Sequence, residues 1–490
     1  MKRFLVCAAA ALIAASAFAK VELPNIIGDN MVLQRETSVA LWGKEKAGAQ
    51  LTIAPSWTKA KTKLKVGQDG KWSVKIATPT AGGPYEIVFN DGEKLTVKNV
   101  LIGEVWFCGG QSNMQMPVKG FGGQRVEGAF DAIMNASPAT PIRLCTSKIR
   151  ASLKEEEENP LQWKENTPEA VAGHSAVSYF FAQQLYKILG VPIGVISCNW
   201  GGSTIETWIS KEWLEKGNKE WKEQGFDDPI KLGHFEKGEL PAKNQNHAGA
   251  LAYNAMVAPL IPFTFKGIIW YQGESNRARP AQYVRLSKLY VEMMRSLWDN
   301  PDLPFYAVQI ASYKYGKGVK GNPEGLQSPL LEEAQLKAAQ QIKHSGLATT
   351  LDVGDPDCIH PAKKLPVAQR LAALAIENDY GFKGICSRAP EYKDMQIDSN
   401  KVILNFHCFG SPLTPNTVEL GGFEVAGEDR VFHPATSARV MRPNNKIEVV
   451  CDEVPAPVAV RYAFHNVAEA SVFNGMGIPV GPFRTDDWDK

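Results

Sequence analysis

The sequence predicts an α/β protein, a parallel sheet in an α/β/α sandwich with flanking antiparallel β modules. Between about residues 101 and 390, apolar strands alternate with helical stretches. On either side the rhythm shortens to period-two alternation broken by Asp-Gly and Gly-Gly turns. Within the middle part, four clusters of glycine and polar residues stand directly after strands. Strand, helix and strand in repetition build a parallel sheet covered on both faces, whereas period-two runs joined by tight turns build antiparallel sheets.

Residues 1–19 read as an export leader: Lys2 and Arg3, an apolar run from Phe4 to Ala17, and the small-x-small site Ala17-Phe18-Ala19. They imply an exported protein, periplasmic or secreted and bacterial. No later run reaches the roughly 18 apolar residues of a membrane span. From 20 to 100, Ser38–Trp42, Lys61–Val66, Trp72–Ile76 and Tyr85–Phe89 read as strands of a β-rich module. From 101 to 390, helices at Ala176–Leu189, Ala281–Trp298 and Leu331–His344 alternate with strands at Ile193–Ser197, Gly267–Tyr271 and Phe305–Ile310. Tyr283, Leu286, Leu289, Tyr290, Met293 and Leu297 fall at three- and four-residue spacing, one apolar face against a sheet. From 391 to 490, Lys401–Phe406, Lys446–Val450 and Val458–Tyr462 return to β, a region whose candidate pairing partner is the N-terminal module. The polar segments 155–159 and 211–237 read as solvated excursions.

Without the leader's Lys2 and Arg3, the 54 basic residues become 52 against 52 acidic ones. That balance gives no reason to expect nucleic acid or another polyanion as partner. Seven scattered cysteines remain (108, 145, 198, 358, 386, 408, 451), an odd number without Cys-x-x-Cys spacing. They suit buried thiols better than a disulfide framework or a metal site.

In open parallel sheets, functional groups gather beyond the carboxyl ends of the strands. Four clusters share that placement: Ser112 after Val100–Cys108, Gly201-Gly202 after Ile193–Asn199, Gln272 to Asn276 after Gly267–Tyr271, and the Asp357/His360 loop after Ala348–Val353. A serine becomes a nucleophile at neutral pH when a histidine takes its proton, and an aspartate can hold that imidazole in the right tautomer. Ser112, His360 and Asp357 fill those roles. A tetrahedral intermediate then needs donors for its oxyanion; the candidates are the backbone N–H of Ser112, Gly201 or Gly202, and a side-chain amide from Gln272 or Asn276. Gln111, Asn113, Glu274 and Arg277 are candidate substrate contacts, Arg277 as the cation for a substrate carboxylate. Trp200, Trp270 and Tyr271 are candidates for stacking on a sugar or for completing the core. The reaction requires neither metal nor organic cofactor.

Met114 excludes the Gly-x-Ser-x-Gly elbow. A serine early in the fold with Asp and His three apart near its end instead resembles the SGNH hydrolases. More narrowly, Gly110-Gln111-Ser112-Asn113-Met114, Trp200-Gly201-Gly202-Ser203, Trp270-Tyr271-Gln272-Gly273-Glu274-Ser275-Asn276 and Asp357-x-x-His360-Pro361 look like the sialate O-acetylesterases. Gly28 to Arg35 and Pro482 to Trp488 are similar to flanking motifs of the same family. The resemblance implies an SGNH-like catalytic domain and a Ser-His-Asp acetylesterase acting on O-acetylated sialic acid or sialoglycan. Xylan acetylesterases resemble the same motifs, so acetylated xylan or another acetylated polysaccharide is the alternative substrate. A noncatalytic carbohydrate-binding protein, suggested by the β modules and 12 tryptophans, leaves the serine, histidine and aspartate unexplained.

Overall fold

A computed structural model describes residues 20–315 and 326–488. The leader at 1–19 lies outside the described residues.

Six parallel strands form the centre: β1 (Lys94–Gly110), β2 (Ile142–Thr146), β3 (Ile193–Asn199), β4 (Gly267–Tyr271), β5 (Phe305–Val308) and β6 (Ser345–Ala348). Their order is β6-β5-β4-β1-β3-β2, with the short antiparallel Trp163–Glu165 at the edge beyond β2. Helices α1 (Ala176–Leu189) and α2 (Lys364–Asp379) share one core with Trp106 and Ile193. Helices α3 (Pro280–Leu297) and α4 (Gln327–Gln341) lie in the other core, with Phe107 and Ile268. Alternate residues of β1 and β4 thus face opposite layers, the α/β/α sandwich expected from the alternation of elements.

The helix boundaries have local causes. Ser175 caps α1 by accepting the N–H of Ser178, and Gly190 closes it in the left-handed conformation at φ 65°. The apolar stripe of α3 is buried as its spacing requires, with Tyr283, Leu286, Leu289, Tyr290 and Met293 at 4% exposure or less.

The flanking regions are antiparallel for the most part, with one exception. Strand β1 pairs antiparallel with Gly82–Asn90 in its first half and parallel with β3 and β4 in its second, and Val32–Gln34 joins it in parallel. One 17-residue strand therefore belongs to both the N-terminal module and the central sheet, and the expected change of module at 100/101 falls inside it. Among the described residues, the strands from Glu391 onward pair with one another and not with the N-terminal module.

Two expectations change. The last strand lies at Ser345–Ala348 rather than Ala348–Val353, because Thr350 turns inward and its hydroxyl donates to the carbonyls of Gln309 and Ile310. The segment 211–237 contains the helix Lys211–Glu223, capped by Ser210, which buries Leu214, Gly217 and Trp221. A Lys/Glu-rich sequence hides that stripe from a reading by polarity, although the spacing is helical.

At the centre of the sheet, Gly110 has φ +144° and a side chain there would stand 2.1 Å from the Tyr271 carbonyl oxygen. Glycine lets β1 and β4 approach just before the Ser112 turn. Gly110→Ala is expected to destabilise the protein by about 3 kcal/mol through strain and overpacking; a lowered urea midpoint would register it, and an unchanged one would contradict this account of the strand junction.

Candidate active site

Strands β1, β3 and β4 end level: Gly110 is in register with Asn199 on one side and Tyr271 on the other. From the central β1 the chain runs out to β2, returns through β3 and crosses to β4, so connections leave in opposite directions around β1. That switch point is where open α/β sheets place ligands, and Ser112, Gly201 and Gln272 emerge there side by side.

Ser112 opens a four-residue helix, Ser112–Gln115, so its N–H is among the first-turn donors without an intrahelical acceptor. Its hydroxyl is half-exposed and has no hydrogen-bond partner among the described residues. Gly201 lies against it: a Cβ on Gly201 would be 3.5 Å from the Ser112 Cβ. The Gly201 N–H donates to Gln115 Oε1 at 2.6 Å, while Gly202 adopts φ +66°. Asn246 donates to the Gly201 carbonyl at 2.9 Å, Ser275 donates to that of Gly202 at 2.8 Å, and His247 Nε2 lies 2.8 Å from the latter oxygen. The glycine turn is thereby held from three sides.

His360 is joined to the serine turn through Asn113, whose amide donates to the Ile359 carbonyl at 3.0 Å. The residue after Ser112 thus holds the residue before His360. Burial, with help from the charge of Lys364, pulls the His360 imidazole down to about 4. A neutral ring, the form that accepts a proton, therefore prevails at physiological pH. His360 Nδ1 faces Gln124 Oε1 at 2.8 Å, and Phe121 meets the ring edge-on at 5.2 Å. The carboxylate of Asp357 lies elsewhere, 80% exposed and paired with Lys314 at 2.7 Å. A cavity of about 580 Å³ opens beside His360, with Lys119, Arg125 and Lys363 in its wall together with Glu127 and Asp355.

The remaining sequence candidates lie beneath this rim. Gln272, 0% exposed, donates its amide to Gln111, Ser203 and Asn276. Asn276 donates to Glu206 and accepts from the Ile205 N–H. Their amide nitrogens are committed inside the protein and brace the loops after β3 and β4 against each other. Gln111 accepts from the N–H groups of Gly273 and Ser275. Asn113 and Glu274 are buried and bonded to each other at 2.6 Å. Arg277 stacks on Tyr315 at 3.9 Å and donates to the Glu274 carbonyl, which directs its guanidinium inward. Trp270 and Tyr271 are core residues, Trp270 packed on Tyr290 and Trp208, while Trp200 is half-buried. The described cysteines are free thiols, with Cys108 and Cys198 raised to about 12 by burial and Cys145 raised by the same cause.

Sequence reasoning missed Gln124, Gln115 and Lys364. The first two are ordinary surface residue types by sequence; only the folded loop brings Gln124 to a histidine 236 positions away. Lys364 looks like a helix-start lysine, yet it is 0% exposed with its ammonium on Asn113 Oδ1 at 2.5 Å.

Residues 102–376, more than half of the 490-residue chain, match the family model described as a carbohydrate esterase, sialic acid-specific acetylesterase. The sialate O-acetylesterase of Rattus norvegicus is 30% identical over 441 residues, covering 78% of this chain and 78% of that protein. The human sialate O-acetylesterase is 29% identical over 415 residues, covering 78% and 75%. The crystal structure of a carbohydrate acetylesterase from Xanthomonas citri superposes with a TM-score of 0.84 at 33% identity, covering 96% of this chain and 100% of that one. The chain belongs to the sialic acid-specific acetylesterase family of carbohydrate esterases.

Proposed function

We propose that the enzyme removes O-acetyl groups from sialic acid by acyl transfer through Ser112, with His360 as the base. The observation that supports it most is the direct tie between the two turns, Asn113 to Ile359, which joins the turn of a strand-end serine to the loop of a histidine kept neutral by burial. His360 Nε2 takes the Ser112 proton as the Oγ attacks the acetyl carbonyl. The tetrahedral oxyanion is met by the N–H groups of Ser112 and Gly202, the Gly201 N–H being held by Gln115. Collapse breaks the bond to the sugar oxygen, which receives the proton from Nε2, and water activated by the same nitrogen releases acetate.

The basic residues Lys119, Arg125 and Lys363 beside His360 favour an acidic sugar, a role for which Arg277 is too enclosed. Glu127 and Asp355 in the same wall temper that charge, and acetylated xylan is the second reading. Acetate release from O-acetylated sialic acid and acetylated xylan, measured side by side, separates the two. The leader at 1–19 would deliver the enzyme to the periplasm or the medium.

The pH dependence has a defined sign. The reaction requires unprotonated His360, so kcat/KM on a neutral acetyl ester is expected to stay level through neutral pH and fall only as pH drops toward about 4. A limb at the ordinary histidine value, about 6.5, would show that the ring is not desolvated as described.

A further inference from the structure

We infer that Gln124 is the residue that positions His360, accepting the Nδ1 proton so that the Nε2 lone pair faces the substrate. The inference rests on the Ser112/His360 reading. An amide oxygen can only accept, so the 2.8 Å contact from Nδ1 to Oε1 places the ring proton on Nδ1 and leaves Nε2 as the base. Gln124 is itself held. Its N–H donates to the Phe121 carbonyl at 3.0 Å, and Gly120, at φ +80°, lies so close that a Cβ there would stand 2.2 Å from the Gln124 carbonyl oxygen. The same tight loop supplies Phe121, whose ring meets the imidazole at 67°. One turn therefore fixes the histidine by a hydrogen bond and an aromatic edge.

The carboxylate that the Asp-x-x-His spacing offers for this task is turned to solvent and engaged by Lys314. A neutral amide orients an imidazole without stabilising the imidazolium as a carboxylate does, which accords with a ring that stays unprotonated. The charged groups facing His360 from neighbouring elements are Lys364 on α2, and Lys119, Arg125, Glu127, Asp355 and Lys363 around the cavity. Cys358 Sγ lies 3.2 Å from the His360 carbonyl oxygen, away from the ring nitrogens.

The test compares Gln124→Ala, Gln124→Glu, Asp357→Asn and Ser112→Ala by pH profiles of kcat and KM on 4-nitrophenyl acetate, an ester without charge of its own, with circular dichroism as the folding control. Gln124→Ala is expected to lower kcat by about 100-fold with little change in KM, the lower end of what proton-transfer groups supply. Gln124→Glu is expected to retain activity while its acid limb moves up by at least about one pH unit, because a carboxylate stabilises the protonated ring. A role confined to loop packing would not produce that shift. If Gln124→Ala unfolds the protein, the Gln124→Glu profile still decides. An unmoved limb in Gln124→Glu, or a kcat loss in Asp357→Asn exceeding that of Gln124→Ala, overturns the assignment to Gln124 while Ser112→Ala remains inactive. Activity persisting in Ser112→Ala would overturn the acyl-transfer reading itself.

Discussion

Ser112→Ala is expected to reduce acetate release by at least about 10⁴-fold, as removal of the nucleophile does in hydrolases whose serine and histidine act as a unit. The loss should fall in kcat, because the Ser112 hydroxyl has no partner among the described residues and the cavity wall beside His360 does not depend on it. Stability should hardly change. The side chain is half-exposed and alanine suits the helix that Ser112 opens. Equal thermal midpoints with acetate release abolished on both sialic acid and xylan esters would support a serine acyl-enzyme. Release that survives at wild-type rate would exclude it and direct attention to water activated directly by His360. Serine-dependent release from xylan alone would retain the mechanism and change the sugar.

The path of the chain through the site was legible where function follows from position along a strand. Ser112, Gly201 and Gln272 each leave a strand end, and the register of Gly110 with Asn199 and Tyr271 brings them level. What was not legible depends on contacts far apart in sequence. Nothing near Gln124 marks it as a histidine partner, and the spacing of Asp357 and His360 describes reach along the chain without the direction in which Lys314 draws the carboxylate. Gln272, Asn276, Asn113 and Glu274 lie one layer below the rim, where Gln272 bonds Asn276 and Asn113 bonds Glu274 out of contact with solvent. The family motif around β4 is thus largely a brace between loops, and the groups proposed for catalysis, Ser112 and His360, stand on top of it.

That buried layer leads to the second large effect, in Lys364→Met. Lys364 is 0% exposed and bonds Asn113 Oδ1, while Asn113 donates to Glu274 Oε1 at 2.6 Å and to the Ile359 carbonyl at 3.0 Å. Burial draws the Lys364 ammonium down to about 7 against the opposing pull of Glu274, and burial raises the Glu274 carboxyl. Each charge is tolerated because the other is present across one shared amide. Methionine keeps most of the lysine's volume and removes the charge, leaving Asn113 Oδ1 without its donor and Glu274 opposed by the charge of Arg277 instead of by two cations; breaking such a pair costs up to about 3–5 kcal/mol. Because Asn113 also links the serine turn to the histidine loop, kcat should fall by about 10–100-fold through misalignment. Glu274→Gln added to Lys364→Met removes the stranded carboxylate, and part of the lost stability should return. In a double-mutant cycle this appears as a coupling energy above the roughly 0.5 kcal/mol scatter of independent sites. Additive losses would mean that lysine and glutamate are buried separately, and that Asn113 alone aligns nucleophile and base.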